Sequence, residues 1–370
     1  MADADSELTK PVYAARGFLP ERDPLTAFPP GSPYAALDEI GCDLPSLLHD
    51  AAFRDYARKL SIPNWQGSAN EMNLPALRLY YLRLGFLASA YVNQVGEKPA
   101  TMLPRNIATP LVKAAMLLDR PAILSYDGYA LYNWKRFRKD KPIELGNIDT
   151  IQNFVHMYDE HWFILVHVEI EAIAAHILRA IAAAKRKLAG DTNANLTAEL
   201  NAIEAAVRRQ AAVLRRIPEH MNASLYYKTF RPYIRYFENV TYEGAESAMP
   251  ITFRGETGAQ SSVMPTLIAF MKIPHRRSEL TDHLDDMRNY MPAQHRALIK
   301  EVEAMPDVRR AAHKEAYNGV LDAIADFRRI HFGWAEDYIN RWTDDPRGTG
   351  GTPYMQWLKE MLLETEARRL

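Results

Sequence analysis

A single cysteine, Cys42, serves the whole 370-residue chain. No intramolecular disulfide can form, cysteine-bound zinc and iron–sulfur clusters are excluded, and so is covalent haem attachment through CxxCH. An excess of charge of either sign is missing as well. Lys plus Arg number 45 against 46 Asp plus Glu, a formal charge of -1. That balance gives neither the basic footprint of a nucleic-acid binder nor a polybasic membrane signal. Long apolar runs are absent too, since the richest stretch, 162–178, carries Glu169 and Glu171. The N-terminus, MADADSELTK, is acidic and polar, unlike a signal peptide. These absences predict a cytoplasmic protein without nucleic-acid or membrane partners.

Several catalytic signatures are also lacking. No Glu is followed three residues later by His, which removes zincin chemistry and the usual di-iron carboxylate bundle. There is no GxSxG elbow, no Walker A loop and no strand-borne GxGxxG. The glycine-rich 348–351 lacks the Lys-Ser/Thr of a P-loop and reads as a connection before a helix.

What is present is helical periodicity. Residues 154–188 repeat apolar positions every three or four residues without Pro or Gly, and 196–217 does the same up to Pro218. Further helices are predicted at 36–60, 71–95, 104–118, 259–273, 278–290, 293–303, 310–342 and 354–368. With weak strand signals and ample apolar residues (48%), the fold class is all-α. The length suggests two units: a smaller N-terminal helical domain over 1–135, irregular over 1–35, and a larger helical bundle over 136–370. Two long irregular segments, 241–258 and 343–353, stand inside this helical pattern, where such segments are more often functional than accidental.

The helix over 310–342 aligns Tyr317, Leu321, Ile324, Phe327, His331 and Trp334 on one face, with Arg328 and Arg329 just before the His. A lone His on an apolar stripe is more often a hydrogen-bonded core histidine. A non-covalent haem, however, needs an apolar slot, one neutral imidazole and cations for its propionates, and this stripe supplies all three. The 154–178 helix carries His156, His161, His167 and His176; His167 and Glu171 lie one turn apart. It reads either as a solvated His/Glu face or as a pocket wall carrying one His. The run at 225–237 packs Tyr226, Tyr227 and Phe230 around Arg231 and Arg235, either as core with Arg at its rim or as a seat for an aromatic carboxylate.

Taken together and in order, these segments resemble the indoleamine 2,3-dioxygenase family. The resemblance is carried by LGFLASAYV (84–92), LPRNIATP (103–110), ILSYDGYALYNWK (123–135), LVHVEIEA (165–172), Arg-Pro-Tyr-Ile (231–234), GAQSS (258–262), DMRNYMPAQHR (286–296), RRIHFGWAEDYI (328–339) and GTGGT (348–352). It implies a haem-dependent dioxygenase that inserts O2 across the indole C2–C3 bond of tryptophan or a related indoleamine. A same-fold enzyme that mono-oxygenates or rearranges a substituted tryptophan, and a non-catalytic haem sensor, are the alternatives. The larger domain would hold haem b and the smaller one cap the site. His331 would be the iron ligand, with Arg328 near the propionates and Gly255 in the loop beside them. Arg231 would bind the substrate carboxylate, with Tyr126, Tyr129, Tyr226, Tyr227, Thr257 and Thr349 around the substrate. His161, Leu165 and His167 are the candidates for the residue facing O2. Tyr129, Tyr226, Glu256 and Thr257 depart from the animal pattern and make the pocket bulkier and more polar on one side. The expected partner is a small indole substrate, and the expected state a monomer, with a dimer as the alternative.

Overall fold

The computed structural model describes residues 6–70, 73–191, 194–245, 249–342 and 354–370. Helices dominate it, as periodicity predicts. In chain order they are α1 (Pro11–Arg16), α2 (Ala36–Leu47), α3 (Phe53–Lys59), α4 (Leu74–Val92), α5 (Arg105–Leu118), α6 (Tyr158–Gly190), α7 (Thr197–Leu214) and α8 (Ala223–Leu225). There follow α9 (Val263–Met271), α10 (Glu279–Arg288), α11 (Ala293–Glu303), α12 (Lys314–Tyr338) and α13 (Tyr354–Ala367). The predicted 36–60 helix divides into α2 and α3, broken around Asp50, whose carboxylate accepts from the Ala52 backbone N–H at 2.8 Å. This local bond competes with helix continuation. α12 starts four residues later than the pattern suggested, after a 3-10 turn over Val308–Ala311.

The bundle is organised by α6, α7 and α12. α7 lies along both of the others, and α13 lies along α12. α6 runs 33 residues uninterrupted and buries Ile164, Leu165, Val168, Ala174, Ile177 and Ile181. α1 packs closely on α6 because Gly17 sits at φ +64 with no side chain: a Cβ there would lie 2.1 Å from the Glu171 carbonyl oxygen. α4 is apolar all round and almost wholly buried, as expected of a helix surrounded by protein.

Strands are few and short. β1 (Met102–Leu103) pairs in parallel with β4 (Phe237–Tyr242), and β5 (Ile251–Phe253) pairs antiparallel with β4. β2 (Trp134–Arg136) and β3 (Ile148–Thr150) form an antiparallel pair. None builds a layer, so the fold is all-α. Two segments wind as π turns, Asp127–Leu131 and Tyr226–Phe230. Such turns widen the helix by one residue and occur disproportionately at functional sites. Among the described residues no helix is long and apolar enough to cross a membrane.

Candidate active site

A cavity of about 1020 Å³ opens between α6, α9, α10, α12 and α13. That volume is at the upper end for ligand pockets and has room for a large cofactor beside a small substrate. Its apolar lining includes Ile170, Val263, Met264, Ile268, Leu280 and Phe327, and Arg328, Lys272 and Arg277 supply positive charge.

His331 faces this cavity from α12. It lies deep in the protein, yet its ring stays accessible because it meets open space instead of packed atoms. Burial, reinforced by His167 and Arg328, pushes its pKa down to about 4, so it is neutral. No hydrogen bond reaches its ring among the described residues. An ordinary core histidine would be bonded; this one presents a free lone pair. Among the described residues no three His, Cys, Asp or Glu side chains converge to hold a bare ion. A single imidazole on an apolar slot instead suits a metal that arrives with its own equatorial ligands.

Arg328 also lines the cavity, and its Nη1 donates to the Met361 carbonyl and the Thr365 hydroxyl on α13. Burial lowers its pKa to about 10, which leaves it cationic at neutral pH. The guanidinium is therefore partly committed to joining α12 to α13.

His167 lines the same cavity from α6. Its Nδ1 lies 2.7 Å from the Phe163 carbonyl. A carbonyl only accepts, so Nδ1 carries the hydrogen. Burial lowers the ring's pKa, which leaves a neutral imidazole with an Nε2 lone pair. The other two candidates for this wall lie elsewhere. His161 bonds Asp149 and Thr150, each at 2.9 Å, and Leu165 is packed in the core. Neither lines the cavity.

Tyr126 stands edge-on to His167, with ring centroids 6.0 Å apart, and its hydroxyl donates to Glu171 Oε1 at 2.8 Å. Ser261, also on the cavity wall, donates to the same oxygen at 2.5 Å. The His167–Glu171 pair that the spacing allows is thus not a hydrogen bond; the two side chains meet Tyr126 instead. Burial raises Glu171 to about 7 despite these two donors.

Tyr129, on the Asp127–Leu131 π turn, packs on Phe86, Phe154 and Phe163 and donates to Glu160 Oε1 at 3.0 Å. It is not part of the cavity lining. Glu160 also accepts from the Phe154 and Val155 backbone N–H groups, and burial raises it to about 7.

Arg231 is not among the residues that line this cavity, and neither are Tyr226, Tyr227 and Gly255; it is only 6% exposed, and its Nε has no hydrogen-bond partner. Its guanidinium lies over the Tyr227 ring, 5.1 Å from the centroid, beside the Tyr226 hydroxyl. Among the described residues no carboxylate pairs with it. Gly255 is held against the backbone of 234–236, where a Cβ would sit 2.4 Å from the Ile234 oxygen. Its smallness serves that close approach. Thr257 lines the cavity and caps the short turn Gly258–Gln260. Thr349 lies outside the described residues.

Sequence reasoning noted Glu256 only as a departure and passed over Glu160. Both are buried acids; Glu160 is held by backbone N–H groups and Tyr129 with His161 nearby, and Glu256 has no cation beside it. An acid amid apolar and aromatic neighbours is the signal that could have flagged them.

The helical fold and a large, partly apolar cavity, lined by His331 and by His283, whose buried Nδ1 is likewise unbonded, define a cofactor-binding helical protein. The family model for indoleamine 2,3-dioxygenase matches residues 11–343. Human indoleamine 2,3-dioxygenase 2 is 28% identical, with 87% of this chain and 86% of that protein covered. The indoleamine 2,3-dioxygenase of Saccharomyces cerevisiae is 30% identical, covering 87% and 78%. The 6-hydroxytryptophan 2,3-dioxygenase of Fusarium equiseti is 25% identical, covering 94% of both chains. The chain belongs to the indoleamine 2,3-dioxygenase family and is, with it, a haem-dependent dioxygenase and an oxidoreductase.

Proposed function

We propose that the protein binds haem b through His331 and uses O2 to open the indole ring of tryptophan, or of a close indole amino acid, to an N-formylkynurenine-type product. The observation that carries this reading is the neutral, hydrogen-bond-free His331 facing the cavity that His167 also lines. When bound, haem supplies the iron at which O2 is activated. The chain's own residues bind and orient. Arg231, buried without a carboxylate partner, takes the substrate carboxylate in a bidentate pair, and Tyr227 backs its guanidinium. His167 Nε2 accepts from the indole N–H, which fixes how the C2–C3 edge is presented. Tyr126 and Thr257 complete the indole wall. These are positioning effects, and the rate advantage lies in holding the reacting atoms in line. Residues 1–135 act as the smaller capping unit, bringing Tyr126 to the site, and residues 136–370 supply the cofactor pocket.

The names of the yeast and human relatives, and that of the Fusarium relative, fit an indole substrate. The decisive experiment is to load the protein with hemin, reduce it, and supply O2 with L-tryptophan. A product two oxygens heavier supports the reading. One added oxygen or none refutes it, and absence of a Soret band refutes haem binding.

A further inference from the structure

We propose that His283 is a second anchor for the cofactor, its Nε2–H donating to one carboxylate of the haem while Arg328 takes the other. This inference rests on the reading of the cavity as a haem site.

His283 lies on the inner face of α10, with Leu280 one turn before it and Met287 one turn beyond. It is 8% exposed, lines the cavity, and makes no hydrogen bond among the described residues. Its Nδ1 is wholly buried and without a partner. Burial, with Arg254 nearby, lowers the ring's pKa to about 4, so it is a neutral imidazole carrying one hydrogen. On the shut-off Nδ1 that hydrogen would be a buried donor without an acceptor, a costlier loss than an unfilled lone pair. The hydrogen is therefore assigned to Nε2, the nitrogen left to meet a ligand.

Helix α13 ties this ring to Arg328. The imidazole lies tilted against Trp357, with ring centroids 5.2 Å apart. One turn further along α13, Met361 offers its carbonyl to Arg328 Nη1. The two points of contact are thus about 6 Å apart along the helix axis. All four residues line the cavity. One wall therefore carries a guanidinium and a neutral N–H donor side by side. Haem is apolar except for two carboxylates on neighbouring arms of one edge, so an apolar slot with two anion contacts on one wall matches its shape and charge.

The protein itself leaves this donor unclaimed. The neighbouring acid, Asp286, is taken by Arg254 Nε at 2.9 Å. Four histidines line the cavity, and two of them have partners in the chain: His167 on the Phe163 carbonyl and His275 on Glu364. His331 and His283 are the two without. They do not share one task, because they stand in different neighbourhoods. His331 feels the charges of His167 and Arg328, whereas His283 feels those of Arg254 and Asp286. An iron held by His331 leaves His283 beside the cofactor's edge, where its carboxylates are.

Hemin and hemin dimethyl ester, whose carboxylates are blocked, would be titrated into the full chain and followed by the Soret band. His283→Phe keeps a ring against Trp357 and removes the N–H. It should weaken hemin about tenfold, the scale of a hydrogen bond to a charged group, and leave the ester within about twofold of its wild-type affinity. The Soret position should not move, because His331 still holds the iron. His283→Gln, which keeps a donor, should recover most of the affinity. His283→Leu supplies a second variant without a donor should the phenylalanine fail to fold. Wild-type hemin affinity in the donor-less variant, or equal weakening of hemin and ester, would overturn the assignment. A shifted Soret band would overturn it too, by making His283 an iron ligand. A wild-type chain that binds neither form would instead sink the haem reading, and this inference with it.

Discussion

Tyr126 gives its phenolic hydrogen to Glu171 Oε1 at 2.8 Å, and Ser261 gives its hydroxyl to the same oxygen at 2.5 Å. Two residues of the cavity wall, from distant parts of the chain, thus hang from one acid one turn beyond His167. The remaining oxygen, Oε2, is buried without a partner. The wall is held by a network that is only partly satisfied, which makes it sensitive to the loss of either donor.

Tyr126→Phe should therefore destabilise the protein by about 1 kcal/mol, the usual worth of a hydrogen bond. The Tyr126 hydroxyl favours the ionised Glu171, so its loss pushes that acid further above 7. The stability loss should be larger at pH 8.5 than at pH 6, as read by denaturant unfolding. Equal losses at both pH values would contradict the network.

His331→Ala should abolish haem retention, seen as loss of the Soret band after hemin loading and desalting. Because the ring has no hydrogen bond to lose and borders open space, the haem-free variant should unfold within about 1 kcal/mol of wild type. Haem retained at the wild-type level would refute the ligand assignment.

Arg231→Ala should weaken L-tryptophan binding by about 1.5–3 kcal/mol, and Arg231→Lys should recover only part of it, since an ammonium lacks the planar fork. Folding should be little affected, because the guanidinium has no carboxylate partner within the protein. Difference spectroscopy of the holoenzyme gives the affinities, and an unchanged value for the alanine variant would rule out the role.

Stability should fall as pH rises from about 5 to 8.5. Glu160 and Glu171 are raised to about 7 and Glu256 to about 8, from ordinary values near 4.5. The folded state thus keeps protons that the unfolded chain gives up. The stabilisation is complete below the unfolded pKa and is lost as pH passes through 7–8, by about 1.4 kcal/mol per pH unit for each proton. A denaturant midpoint that climbs over this range would contradict these burials, and Glu256→Gln should flatten the upper part of the curve.

Helices were legible in the sequence because periodicity is local: α6, α7 and α12 appear within a few residues of their predicted bounds. The inward face of α12, with His331 on it, follows from the same arithmetic. Motif order was needed to single that histidine out, and the structure adds its missing hydrogen bonds. The substrate side was harder to read. His167 points into the cavity because of where α6 lies against α12, which no spacing on α6 alone reveals. Tyr129 was expected around the substrate; a π turn alters the register there, and its hydroxyl goes to Glu160 instead. Arg328 was expected near propionates, and it does line the cavity, but its tie to Thr365 depends on the packing of α13. Glu256 became conspicuous only when its surroundings proved to hold no counter-charge.

The two π turns carry a consequence for how such a pocket diverges. Each holds one more residue than an α-helical turn would, and each residue advances a helix by about 100°. Deleting one residue from 127–131 or from 226–230 would rotate the residues that follow, turning new side chains toward the site in a single event. Relatives that differ here by one residue in length would then differ in ligand preference more than their point substitutions suggest. Insertion and deletion, and not only replacement, are mutational routes by which this wall can be recast.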